Sequence, residues 1–129
     1  MQCVLIGNYG VGNLGDELLK EYFLARFSDI QWVVVSADPG AQEMPRLPLG
    51  LRSLFCPWWK TLRAYWECDA IVFGGGSLFT DTESAFACVL WWWHAWVAWL
   101  LGKPFLLAFQ GIGPLRTFIG RACARWVVR

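Results

Sequence analysis

The chain alternates short apolar runs with longer stretches in which apolar residues recur every three or four positions. Residues 3–6 form the first run and read as a strand closed by Gly7. Residues 16–27 carry Leu18, Leu19, Tyr22, Phe23 and Phe27 along one face, which predicts an amphipathic helix. Residues 32–35 are rich in β-branched side chains and read as a second strand, buried on both faces. Residues 38–50 hold three prolines and two glycines and read as a loop. A short helix is expected over 58–66, a third strand over 70–73 and a long helix over 84–101, ended by Gly102 and Pro104. A fourth strand follows over 105–109, then a helix over 117–124, and 126–128 reads as the start of a fifth strand.

Strands that alternate with helices imply an α/β fold: a Rossmann-like parallel sheet with helices on both faces. Right-handed crossovers are expected throughout. Residues 1–129 make one such domain. With the last residues read as an unfinished strand, the expectation is that the domain is truncated and that a further domain follows.

Composition changes this picture in one respect. The chain is 57% hydrophobic and holds ten tryptophans. A chain this apolar must bury most of itself, touch a membrane or pack on a further part. The net charge of +1 offers no electrostatic footprint for nucleic acid. The five cysteines form no Cys-x-x-Cys pair, so neither a disulfide framework nor a metal site is implied. Cys3, Cys88 and Cys123 sit in apolar runs and read as small buried hydrophobes. Met1 leads straight into a strand without a basic leader, and together these features favour the cytoplasm.

In an open parallel sheet, ligands bind beyond the carboxyl ends of the strands. Three of those ends carry glycine together with polar residues. The first gives Asn8, Tyr9, Gly12, Asn13 and Asp16, and the third gives Gly74, Gly75, Gly76, Ser77, Thr80 and Asp81. The fourth gives Gln110, Gly111 and Gly113. Glycine lets a ligand approach the backbone and its N–H donors. The plainer reading is that each glycine serves a tight turn.

Gly10-x-Gly12-x-x-Gly15 has the spacing of a dinucleotide-binding loop, and Asp38 stands after the second strand where a ribose-binding acid belongs. Against this, Asp16 and Glu17 occupy the helix N-terminus where a pyrophosphate would lie. Their charge opposes phosphate and suits a neutral, hydroxyl-rich ligand such as a sugar. Asp16 and Asp81 each have two readings: a helix-capping acid, or a group directed into a cleft.

The segments "GNYGVGNLGDELL", "FGGGSLFTD" and "GKPFLLAFQGIGPL", in this order, resemble the polysaccharide pyruvyltransferase family. "VVVSADP" is similar to the family's second strand, and the resemblance spans nearly the whole chain. It implies the N-terminal half of a two-domain enzyme of the GT-B type. Such an enzyme transfers a pyruvyl group from phosphoenolpyruvate to a sugar of a cell-surface polysaccharide or its lipid-linked precursor. This half would face the glycan acceptor, and an absent C-terminal domain would hold the phosphoenolpyruvate, with no cofactor. Asp16 is then the first candidate for the proton acceptor and Asp81 the second. Asn8, Asn13, Ser77 and Gln110 become hydroxyl-binding partners. The alternatives are a dinucleotide-binding domain of an oxidoreductase and a noncatalytic sugar-binding fragment.

"AFACVLWWWHAWVAWLL", residues 85–101, has one polar side chain, His94. It stands at the lower length limit for crossing a bilayer. Gly102-Lys103-Pro104 feeds directly into a strand, so the helix reads as packed on the sheet. Its five tryptophans exceed one core face, which predicts a peripheral membrane contact, at the inner face of the cell membrane, or packing on a further domain. His94 reads as a partly buried helix residue.

Overall fold

The structure is a computed structural model that describes residues 1–82 and 84–129. Five parallel strands form one sheet in the order β3-β2-β1-β4-β5. They are β1 (Gln2–Ile6), β2 (Gln31–Ser36), β3 (Met44–Pro45), β4 (Ala70–Phe79) and β5 (Phe105–Ile112). Among the described residues four α-helices accompany them: α1 (Leu14–Arg26), α2 (Trp59–Glu67), α3 (Ala85–Leu100) and α4 (Phe118–Val127). The fold is α/β and Rossmann-like, as the alternating pattern predicts.

Alternation of side chains along the strands divides the core in two. Val4, Ile6, Ile71 and Phe73 point to one face and meet Tyr65 of α2, Trp91 and Ala95 of α3, and Ala124 and Val127 of α4. Leu5, Val34 and Val72 point to the other and meet Phe23 of α1. The first face carries three helices and the second only one. The predicted α1 stripe is therefore only partly covered, with Leu18, Tyr22 and Phe27 exposed.

Two strands run further than expected. The glycines after residue 73 lie inside β4, where Gly74 pairs with Ala108 and Gly76 with Gln110 of the equally extended β5. The fifth strand expected over 126–128 is corrected: α4 continues to Val127. Cys123, Ala124 and Val127 are buried at helical spacing, and Trp126 meets Trp92 and Trp99 edge-on at 6.2 and 6.1 Å. An amphipathic pattern of helical period decides that segment over its β-branched tail.

The tryptophans of α3 divide their surroundings. Trp91 is buried, Trp93 and Trp96 stack at 5.3 Å, and Trp99 is exposed. Among the described residues, no helix is long and apolar enough to cross a membrane. His94 is more buried than expected, with no exposed surface. Leu47 N–H donates to its Nε2 (3.3 Å), and Tyr65 Oη lies 2.5 Å from its Nδ1. With Nε2 accepting, the one proton of a neutral ring sits on Nδ1. Burial, with help from the Arg46 charge, pushes the ring down to about 3.

Candidate functional site

The chain leaves β1 toward β2 on one side and leaves β4 toward β5 on the other. The carboxyl ends of these two neighbours form the point where strand order reverses, and a crevice opens there. A cleft of about 630 Å3 occupies it. Asn8, Asn13 and Asp16 line it from the β1 side, and Gly76, Ser77 and Thr80 from the β4 side. Arg46, Ser84, Phe86 and Trp91 complete the wall.

Asp16 is placed by its helix and by a missing side chain opposite. Asn13 caps α1 by accepting from Gly15 N–H (3.1 Å). The Asn13 amide donates to Asp16 Oδ2 (2.9 Å). A Cβ on Gly76 would collide with Asp16 Oδ1, and Gly76 has a φ of +76°. Gly75, at φ +87°, likewise makes room for Leu19 of α1. These two glycines thus let α1 stand close over β4 and bring its first-turn acid to the cleft. Burial raises the Asp16 carboxyl above its ordinary value, hydrogen bonding from Asn8 and Asn13 offsets part of this, and Glu17 and Arg46 act in opposite directions.

Arg46 faces it across the cleft. Its Nη2 donates to Asn8 Oδ1 (3.1 Å) and to the carbonyls of Gly7 and Tyr9 (3.4 Å each). Its guanidinium lies 4.8 Å from the centroid of the Trp91 ring. Sequence reasoning missed Arg46 because it stands in the proline-rich stretch, beside a strand of only two residues with no periodicity to reveal it. Trp91 was hidden among its neighbours on α3.

Other candidates lie elsewhere. Asp81 is anchored: Arg116 N–H (2.8 Å), Thr117 N–H (2.6 Å) and Thr117 Oγ1 (2.6 Å) all donate to it. These donors pull its carboxyl down to about 2. Asp81 ties the end of β4 to the start of α4, and it is absent from the cleft wall. Tyr9 is fully buried and donates to the Gly74 carbonyl, so it packs rather than faces a ligand. Gly74 and Gly75 lie beneath α1, and Gly12 is exposed with open space around it. Gln110 Nε2 donates across to the Gly75 carbonyl (3.2 Å), and Gly111 backs onto Ser77 Oγ.

The glycine spacing of the first loop takes on a different meaning in three dimensions. Gly10 N–H, one of the donors that would cradle a phosphate, already donates to Glu17 Oε1 (2.7 Å). Glu17 is further held by Lys20 at 2.6 Å. Asp38 lies outside β2 and is exposed. Among the described residues, no cluster of side chains could hold a metal ion.

The cleft therefore combines one carboxyl of raised affinity for protons, the amides of Asn8 and Asn13, hydroxyls of Ser77, Thr80 and Ser84, and an aromatic wall. Such a set donates to and accepts from hydroxyls. It can also take a proton from one at Asp16. No protein-family model matches the chain, and neither a curated protein nor a solved structure matches it.

Proposed function

We propose that this chain is the acceptor-side domain of a pyruvyl transfer enzyme of cell-surface polysaccharide synthesis. The donor is phosphoenolpyruvate, and the acceptor is a sugar of the polysaccharide or of its lipid-linked precursor. The observation that carries the reading is the buried carboxyl of Asp16 in the crevice between β1 and β4, ringed by amides and hydroxyls. Two of the three sequence segments that resemble pyruvyltransferases contribute to that wall: the first gives Asn8, Asn13 and Asp16, and the second Gly76, Ser77 and Thr80.

In this reading two acceptor hydroxyls each form a bond to the same donor carbon and each lose a proton. One proton ends on the methylene carbon, which becomes a methyl group. The other leaves with phosphate as the carbon–oxygen bond to it breaks. Asp16 accepts the proton of the attacking hydroxyl, and its raised proton affinity suits that task. Asn8, Asn13 and Ser77 orient the sugar. A second domain of GT-B arrangement supplies the acid and the cations that hold phosphate. The site works at the inner face of the cell membrane, where lipid-linked acceptors lie. The dinucleotide alternative gains nothing from the first loop, whose Gly10 donor is taken by Glu17.

The test is phosphate release from phosphoenolpyruvate by the product of the whole reading frame, with and without membrane-derived glycans. Release that depends on the acceptor supports the reading. No release with any acceptor, together with saturable binding of a nicotinamide dinucleotide, overturns it.

A further inference from the structure

We propose that Arg46 forms a subsite for a carboxylate carried by the ligand of this cleft, with Trp91 as its floor. Arg46 is the only cationic side chain among the described residues of the cleft wall. Two fully buried polar side chains fix the backbone on either side of it. Thr61 Oγ1 of α2 donates to the Pro45 carbonyl (2.5 Å), and His94 Nε2 of α3 accepts from Leu47 N–H (3.3 Å). A buried polar group is costly unless bonded, and these two bond to the backbone immediately flanking one arginine. The fold thus anchors the backbone that carries Arg46, whose guanidinium lies over Trp91.

Bracing the first loop does not exhaust the guanidinium. Nη2 makes all three bonds to Gly7, Asn8 and Tyr9. The Nε–H is buried without a partner among the described residues. A planar guanidinium with donors to spare matches the planar pair of oxygens of a carboxylate, as it does two oxygens of a phosphate. The neighbouring Asp16 sets the charge of the ligand. Its negative charge repels a phosphate dianion more strongly than a single carboxylate, so a single negative charge is favoured.

Two carboxylates fit this description, that of an acidic acceptor sugar and that of the three-carbon group being transferred. The choice between them rests on the transferase reading, whereas the charge preference rests on Arg46 and Asp16.

The experiment titrates the 129-residue chain with glucuronate and glucose, with pyruvate and pyruvamide, and with inorganic phosphate, following the Arg46 Nε–H and Trp91 indole N–H resonances. A carboxylate probe is expected to bind at least about tenfold more tightly than its neutral counterpart, from the strength of a charge-assisted hydrogen bond. Arg46→Gln is expected to remove that preference. Asp16→Asn is expected to raise the ratio of carboxylate to neutral-probe affinity severalfold, a readout that survives if Arg46→Gln does not fold. Preference for glucuronate assigns the subsite to the acceptor, and preference for pyruvate to the transferred group. Equal binding of charged and neutral probes, or tighter binding of phosphate than of either carboxylate, overturns the proposal. Glucose binding without a charge preference would sink this subsite and spare the transferase reading. A charge preference without phosphate release would do the reverse.

Discussion

Asp16 and Asp81 both lie in the connections that follow adjacent strands, Asp16 in the first turn of α1 and Asp81 two residues past β4, and sequence gives no reason to separate them. Their surroundings make them opposites. Asp81 accepts three hydrogen bonds from the start of α4 and is held down to about 2. Asp16 accepts from side-chain amides at the cleft, and burial raises its proton affinity. A carboxylate saturated with fixed donors is a structural clamp. One that is desolvated and only partly bonded can exchange a proton with a ligand.

The largest effect should come from removing the exchangeable proton site. Asp16→Asn keeps the size and the bond from Asn13 in altered form but cannot take a proton. Turnover is expected to fall by about 10²–10⁴-fold, the usual contribution of a general base. Asp81→Asn should leave turnover within a few-fold. Steady-state rates of acceptor-dependent phosphate release decide this, and equal losses at the two positions would erase the distinction.

The second effect concerns the buried groups behind the cleft that anchor the backbone on either side of Arg46. His94 is neutral in the fold, pushed by burial down to about 3 from an ordinary 6.5. Its folded value is depressed, so the unfolded chain binds the extra proton. Stability is complete above 6.5 and is lost as pH falls toward 3, at about 1.4 kcal/mol per pH unit. His94→Gln keeps an acceptor for Leu47 and should flatten that slope by one proton. Denaturant unfolding at several pH values measures it; parallel slopes for the two proteins would contradict the buried neutral ring.

Gly76→Ala comes next. The new Cβ meets Asp16 Oδ1 at a left-handed backbone position. Strain and overpacking together should cost about 2–4 kcal/mol. Placing the methyl group there should also displace Asp16, so activity should fall along with stability. Urea midpoints paired with rates would show whether the two losses travel together.

How much of this was legible depends on the period of each signal. The strand–helix alternation and the caps Asn13, Ser84 and Thr117 are local features, and the sheet follows from them. Asn8, Asn13, Asp16 and Ser77 were legible as rim residues because strand ends define the rim. The glycines of β4 misled, because absence of a side chain reads the same whether a ligand or a helix approaches. Arg46 was illegible because its place depends on Thr61 and His94, which are distant in sequence and meet it only when α2 and α3 pack. Asp81 was ambiguous because its donors lie 35 and 36 residues away.

The smallest effect is a titration, and it is also the most direct comparison of the two acids. Asp16 has a raised folded value, so the fold holds its proton more tightly than the unfolded chain does. Its ionisation weighs against the fold as pH rises through that value. Asp81 has a lowered value, so its contribution is present above 3.8 and lost as pH falls toward about 2. Carboxyl carbon shifts followed from neutrality down toward 3.8 should therefore move first at Asp16 and stay flat at Asp81. Asp81→Ala should lower the melting temperature by about 5 °C through loss of the clamp, without moving the Asp16 midpoint. A midpoint for Asp16 at or below that of Asp81 would remove the physical ground for assigning it the proton-accepting role. The cleft would then be left with hydrogen-bonding groups alone, a place to hold a sugar and not to activate one.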